Sequence, residues 1–165
     1  MNLACNAIIT RSSCRSFTRD KNIESDIIER ILYAGTLAPS GKNMQPWRFK
    51  LLNKDCIEKV SCLFKMSKWF RFTNQAVAVF MDAESGYDTQ KDAMSMGACV
   101  QNMLIEAECN GVGACWIGEF TNYKDKIEAV LSVSDKYILM AIVALGYPLC
   151  DSSKKQRKPL SDMII

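Results

Sequence analysis

Ala38-Pro39-Ser40-Gly41-Lys42-Asn43-Met44-Gln45-Pro46-Trp47 is a polar loop of small residues closed by a Gln-Pro-Trp anchor. Any helix before it must stop there, because Pro39 disfavours helical geometry at Ala38. After it, Trp47, Phe49 and Leu51 alternate with Arg48, Lys50 and Leu52, which predicts a strand with one face more buried than the other. A loop rich in polar groups therefore joins a helix to a strand. Upstream lies a second polar cluster, Arg11-Ser12-Ser13-Cys14-Arg15. Arginines with hydroxyls suit an anion. The loop suits a planar group beside it.

The elements on either side follow from periodicity. Ile23, Ile27, Ile28, Ile31 and Leu32 recur at helical spacing among charged residues, with Asn22 or Ser25 as the cap. A short helix over Asn2 to Ile9 leads into the Arg11 cluster. Asp55 to Met66 reads as a helix and Ala76 to Met81 as a buried strand. A polar connection, 82–91, precedes a long helix from about Asp92 to Cys109, which Asn110-Gly111 stops. Met94, Met96 and Met103 read as core positions of that helix, and Trp47 and Trp116 as core packing. Ile127, Val130 and Leu131 mark another short helix. Tyr137 to Leu145 is nearly uninterrupted apolar sequence, short and β-branched, and reads as a central strand ended by Gly146-Tyr147-Pro148. Interleaved helices and strands give a single domain over 1–165 of mixed α/β or α+β class, with one core sheet.

Composition narrows the function. The chain has 165 residues, 48% of them hydrophobic and 24% charged, typical of a globular domain with a substantial core. A net charge of +3 argues against nucleic acid as a partner. No apolar run is long enough to span a bilayer. Met1 to Thr10 lacks the flank and length of a signal peptide, so the expected location is the cytoplasm. There is no histidine. That removes Ser-His-Asp, Cys-His and HExxH chemistry, and an enzyme of this sequence must take its chemistry from a cofactor. The eight cysteines form no CxxC pair, so zinc-ribbon, thioredoxin and disulfide-framework readings fail. They read as small buried hydrophobes, with Cys14 and Cys115 falling inside motif segments.

Two motifs resemble nucleotide sites and fail on geometry. Gly111-Val112-Gly113 begins like a dinucleotide fingerprint, but its third glycine would be Trp116 and a helix precedes it. Gly41-Lys42 resembles a P-loop, but Gly35 is one residue too far away and Asn43 stands where Ser or Thr is required.

Five segments in order resemble the FMN-dependent nitroreductases. Arg11 to Phe17 is similar to the family's R-x-S-x-R/K-x-F motif. Ala38 to Trp47 is similar to A-P-S-x-x-N-x-Q-P-W, and Gln101-Asn102-Met103-Leu104 to Q-N-[LM]-L. Gly111 to Gly118 is similar to G-[LV]-G-x-x-W-I-G. Gly146-Tyr147-Pro148 with 155–160 is similar to the closing strand and basic tail.

The resemblance implies an α+β, three-layer α/β/α fold with a mixed, mainly antiparallel central sheet, in an intertwined homodimer. It implies bound FMN, with NADH or NADPH as donor, and ping-pong reduction of a small-molecule acceptor such as a nitroaromatic or quinone. Arg11, Ser13, Lys155 and Arg157 are then phosphate-binding residues, and Ser12 beside them a cofactor-binding one. Arg15 is placed beside the N1–C2=O edge of the ring, where negative charge builds on reduction. Pro39, Ser40, Gly41, Asn43 and Gln45 are placed against the ring and ribityl chain of the other subunit's cofactor. Ile117 and Gly118 line the flavin, and a backbone amide at Gly118 or Glu119 faces N5. Relatives carry a helical excursion between the second strand and the long helix, where this chain has only 82–91. That difference motivates an alternative, an FMN carrier or redox sensor without efficient turnover. Other chemistry on the same fold, such as reductive dehalogenation, ranks last.

Overall fold

The computed structural model describes residues 3–150 and 156–165. In chain order the helices are α1 (Leu3–Thr10), α2 (Ser25–Thr36), α3 (Lys54–Leu63), α4 (Thr89–Cys109) and α5 (Lys124–Leu131). The strands are β1 (Trp47–Leu52), β2 (Gln75–Asp82), β3 (Gly113–Ile117) and β4 (Tyr137–Gly146). They form one sheet in the order β1-β2-β4-β3, with every neighbouring pair antiparallel. A single parallel bridge, Ser13 to Ala114, extends the sheet beyond β3.

The two central strands are buried on both faces, which is why they read as continuous apolar runs. Val77, Val79, Ala141, Val143 and Leu145 pack with α2 and α4, through Ile27, Ile31, Met96, Cys99 and Met103. Ala76, Ala78, Phe80, Ile142 and Ala144 pack on the other side with α3 and α5, through Ile57, Val60, Ile127 and Leu131. The result is the three-layer α/β/α arrangement of an α+β domain. A bulge between Val79 and Phe80 leaves Met140 of β4 unpaired. Met140 packs on the same side as Ala141, so the alternation along β4 shifts by one residue there.

Side-chain hydrogen bonds set the helix starts. Asn53 accepts from the Cys56 amide and begins α3. Asp88 accepts from the Lys91 amide and begins α4 at Thr89, earlier than Asp92. Asp92 is instead a buried anchor, its Oδ2 accepting from the amides of Tyr87 and Asp88. The stop at Asn110-Gly111 forms as expected. Gly111 lies at φ 67°, its amide bonds Glu108 O and that of Val112 bonds Ala107 O.

Four readings change. β1 buries Trp47 and Leu52 and exposes Leu51, because as an edge strand it is only partly covered on each face. Met94 and Trp116 are exposed rather than core. Gly113–Ile117 is a strand that its composition did not announce. Of the eight cysteines, all free, only Cys14, Cys99 and Cys115 are buried.

Candidate functional site

The Arg11 cluster lies along the sheet edge. The Cys14 amide donates to Ala114 O at 3.0 Å, and the Leu149 amide to Ser16 O at 3.0 Å. Residues 13–17 are thus threaded between β3 and the chain leaving β4. Gly113 permits the approach: a Cβ there would stand 2.8 Å from Cys14 Sγ and 3.0 Å from Pro148 Cγ. Arg11, Ser12 and Ser13 are half-buried and Arg15 is exposed. All but Ser12 are felt at Cys115. Burial pushes the Cys115 thiol up, and Arg15, a hydrogen bond with Ser13, and Arg11 each draw it back down. No carboxylate lies within ion-pair distance of Arg11 or Arg15 among the described residues. Burial also raises Cys14 and takes Cys99 to about 12, so none of the three buried thiols is a ready thiolate.

The 38–47 loop is built separately. Lys42, Asn43 and Gln45 lie at φ 52°, 57° and 50°, left-handed conformations that cost energy in residues with a Cβ. Ser40 holds this shape. Its carbonyl accepts from the Asn43 amide and its hydroxyl from the Gln45 amide, at 2.9 and 3.0 Å. Pro46 O accepts from the Asp82 amide at 2.8 Å, and Arg48 bridges Gln45 O and the Asp82 carboxylate. Gln45-Pro46-Trp47 therefore fastens the loop to β2. Pro39, Ser40 and Gly41 face Lys91, Met94, Ser95 and Ala98 of α4 across a groove of about 310 Å³. Asn102 of the Q-N-M-L turn braces α4 by donating to Ala34 O of α2.

These two groups do not meet within one chain. The loop lies beside α4 near Ser95, whereas Ser12 and Cys14 lie beside Glu108 and Gly113 at its other end. Thirteen residues of helix at 1.5 Å each separate them by about 20 Å. Arg157 is exposed and has no hydrogen bond or ion pair among the described residues. Lys155 lies outside the described residues.

At the end of β3, Ile117 is buried and Gly118 exposed. The Glu119 side chain has a role that sequence reasoning missed. Its Oε1 accepts from the amides of Lys65 and Met66, and its Oε2 from that of Ser67, at 2.7, 2.9 and 2.6 Å. One carboxylate thus pins the loop after α3, including exposed Met66, to the segment that follows Gly118. Burial pushes this carboxyl up, but the bonds from Met66, Ser67 and Lys65 outweigh it and leave the pKa below the ordinary value. The clamp is therefore complete above the ordinary glutamate range and is lost as pH falls through the depressed value. In Glu119→Gln an amide NH₂ faces one of the three donors. That variant is expected to lose about 1–3 kcal/mol and the acid-side dependence, read from urea midpoints between pH 4 and 7.

The donors fit an FMN-sized ligand only in part in one chain: a set of arginines and hydroxyls at one end of α4 and a shaped, strained loop at the other. Comparison with known proteins names the family. A model of the Nitroreductase family matches residues 8–71 and 63–147. A protein of Archaeoglobus fulgidus, provisionally named an NADH dehydrogenase/NAD(P)H nitroreductase, is 31% identical over 146 residues, covering 86% of this chain and 83% of that one. The oxygen-insensitive NADPH nitroreductase of Helicobacter acinonychis is 25% identical, covering 93% and 91%. A provisionally named nitroreductase of Desulfovibrio desulfuricans, solved in complex with FMN, superimposes with a TM-score of 0.94 at 32% identity, covering 100% and 96%. With a family model matched over residues 8–71 and 63–147, and with relatives 31% and 32% identical over most of both chains, the chain belongs to the nitroreductase family.

Proposed function

We propose that this protein is a homodimeric FMN-dependent oxidoreductase that takes electrons from NADH or NADPH and reduces nitroaromatics, quinones or similar acceptors. One observation carries the reading: the Arg11 cluster and the 38–47 loop stand about 20 Å apart along α4 on one chain, which supports sites shared between two copies. Large apolar side chains are available for that contact. Ile8, Ile9, Tyr33, Leu37, Met94 and Trp116 are exposed, as are Met163, Ile164 and Ile165 of the tail.

Arg11, Ser12 and Ser13 hold the phosphate, joined by Lys155 and Arg157 of the tail. Arg15 supplies the cation beside the N1–C2=O edge. The Ser40 hydroxyl accepts from the Gln45 amide and keeps its O–H to donate, so Ser40 and Asn43 offer polar contacts, and Pro39, Gly41 and Gln45 shape, to the cofactor of the other copy. Ile117 and Gly118 form the wall on which a backbone amide, at Gly118 or Glu119, meets N5. FMN, when bound, accepts a hydride from the nicotinamide and passes electrons to the acceptor. One binding face serves donor and acceptor in turn, which gives ping-pong kinetics.

Purified protein is expected to be yellow, to release FMN on denaturation and to sediment as a dimer. NADH or NADPH is expected to bleach it within seconds in stopped flow. A colourless protein that takes up no added FMN overturns the reading. A yellow protein that neither donor bleaches turns it to the carrier or sensor alternative.

A further inference from the structure

The short connection between β2 and α4 brings an aromatic residue onto the 38–47 loop. A Cβ on Gly41 would stand 2.2 Å from Tyr87 Cε1, so the Tyr87 ring lies flush on the glycine. Its root is fixed, because buried Asp92 holds the Tyr87 amide at 2.9 Å and the Asp88 amide at 3.0 Å. Two ammonium groups lie close to the ring: Lys42 Nζ at 4.7 Å and Lys91 Nζ at 5.2 Å from its centroid. Lys42 is presented by a left-handed residue in the closed loop, and Lys91 by the first turn of α4. Their charge is largely uncompensated. Lys91 has only Asp88, at 3.9 Å, and Lys42 has no carboxylate within 4 Å among the described residues. Lys91 also lines the groove that Pro39, Ser40 and Gly41 form with Met94 and Ala98. A groove of small and apolar residues with Lys91 in its wall, and with Tyr87 and Lys42 beside its Gly41 edge, suits a planar ligand that carries an anionic group.

We propose that Lys42 and Lys91, both held beside Tyr87, bind an anionic group of the molecule that reacts at the flavin. This rests on the reading above, in which the 38–43 loop borders the flavin of the other copy. The anion has two sources, the 2′-phosphate of NADPH or a carboxylate on the acceptor. The pairs NADPH/NADH and 4-nitrobenzoate/4-nitrobenzyl alcohol separate them. In the Lys42→Met, Lys91→Met double variant, KM for the member of one pair that carries the additional anionic group, NADPH or 4-nitrobenzoate, is expected to rise about tenfold. The member without that group, NADH or the alcohol, and kcat stay within about twofold, and the parent's preference for the additional anion fades with added salt. A rise confined to NADPH assigns the site to the donor, and one confined to nitrobenzoate assigns it to the acceptor. Unchanged ratios in both pairs, in a protein that keeps its FMN and is bleached by NADH, overturn this inference alone. A parent without FMN overturns the reading beneath it as well.

Discussion

Phe70→Ala should lower stability by about 3–5 kcal/mol and Tm by roughly 6–20 °C for a chain of this size. Phe70 is completely buried. It lies in a 3₁₀ segment, Lys68–Phe72, at the foot of β2. Its ring meets Phe64 at 5.5 Å and 59°, and Trp69 at 6.5 Å and 87°. Neither is a face-to-face stack, and both are tilted or edge-on contacts of the favourable kind. The segment has little backbone regularity to fall back on. The Phe70 amide bonds Ser67 O, and Phe70 O accepts from Thr73. Truncation therefore opens a cavity that its packed neighbours, Phe64, Trp69 and α3, cannot fully collapse into. The measurement is a urea titration at fixed protein and FMN concentration, since ligand and dimer contacts both shift apparent stability. An unchanged m-value would keep the comparison two-state. A loss below about 1 kcal/mol would mean that Phe70 does not fill the layer beneath the sheet.

What could be read before folding follows from where the information resides. α2 and α4 carry a 3.6-residue pattern, and β2 and β4 an apolar run of strand length, so each announces itself locally. β3 does not. Gly113-Ala114-Cys115-Trp116-Ile117 has little strand propensity and becomes a strand through pairing with β4 on one side and Ser13 on the other. Lys68–Phe72 is similar: dense aromatics with no period, shaped by the cluster they build. At the site, the motifs supplied the residue types but not their arrangement. Arg11 and Asn43 belong to one list in the sequence, and only the topology places their segments at opposite ends of α4. Trp116 and Met94 were misread for a related reason. An apolar side chain reads as core whether its own chain or a second copy covers it. The Glu119 clamp had no local signal, since its three donors are backbone amides more than fifty residues away.

Arg11→Ala should weaken FMN binding about ten- to one-hundredfold while leaving the unfolding midpoint of the apoprotein nearly unchanged. The fold has little to lose. The structural bond at this position is from the Arg11 backbone amide to Ala7 O, at 2.9 Å, which alanine retains. No carboxylate depends on the guanidinium among the described residues. On the proposed reading the phosphate has much to lose, because a charge-assisted hydrogen bond to it is worth about 1.5–3 kcal/mol, and 1.4 kcal/mol is tenfold in Kd. Arg11→Lys should fall between, keeping the charge but not the two-pronged donor geometry. Quenching of flavin fluorescence at fixed ionic strength reads all three proteins. Unchanged affinity in Arg11→Ala would remove the phosphate from the sheet edge. If Arg157→Ala then weakened binding instead, the anion would belong to the basic tail, and the Arg11 cluster would serve the ring through Arg15 alone.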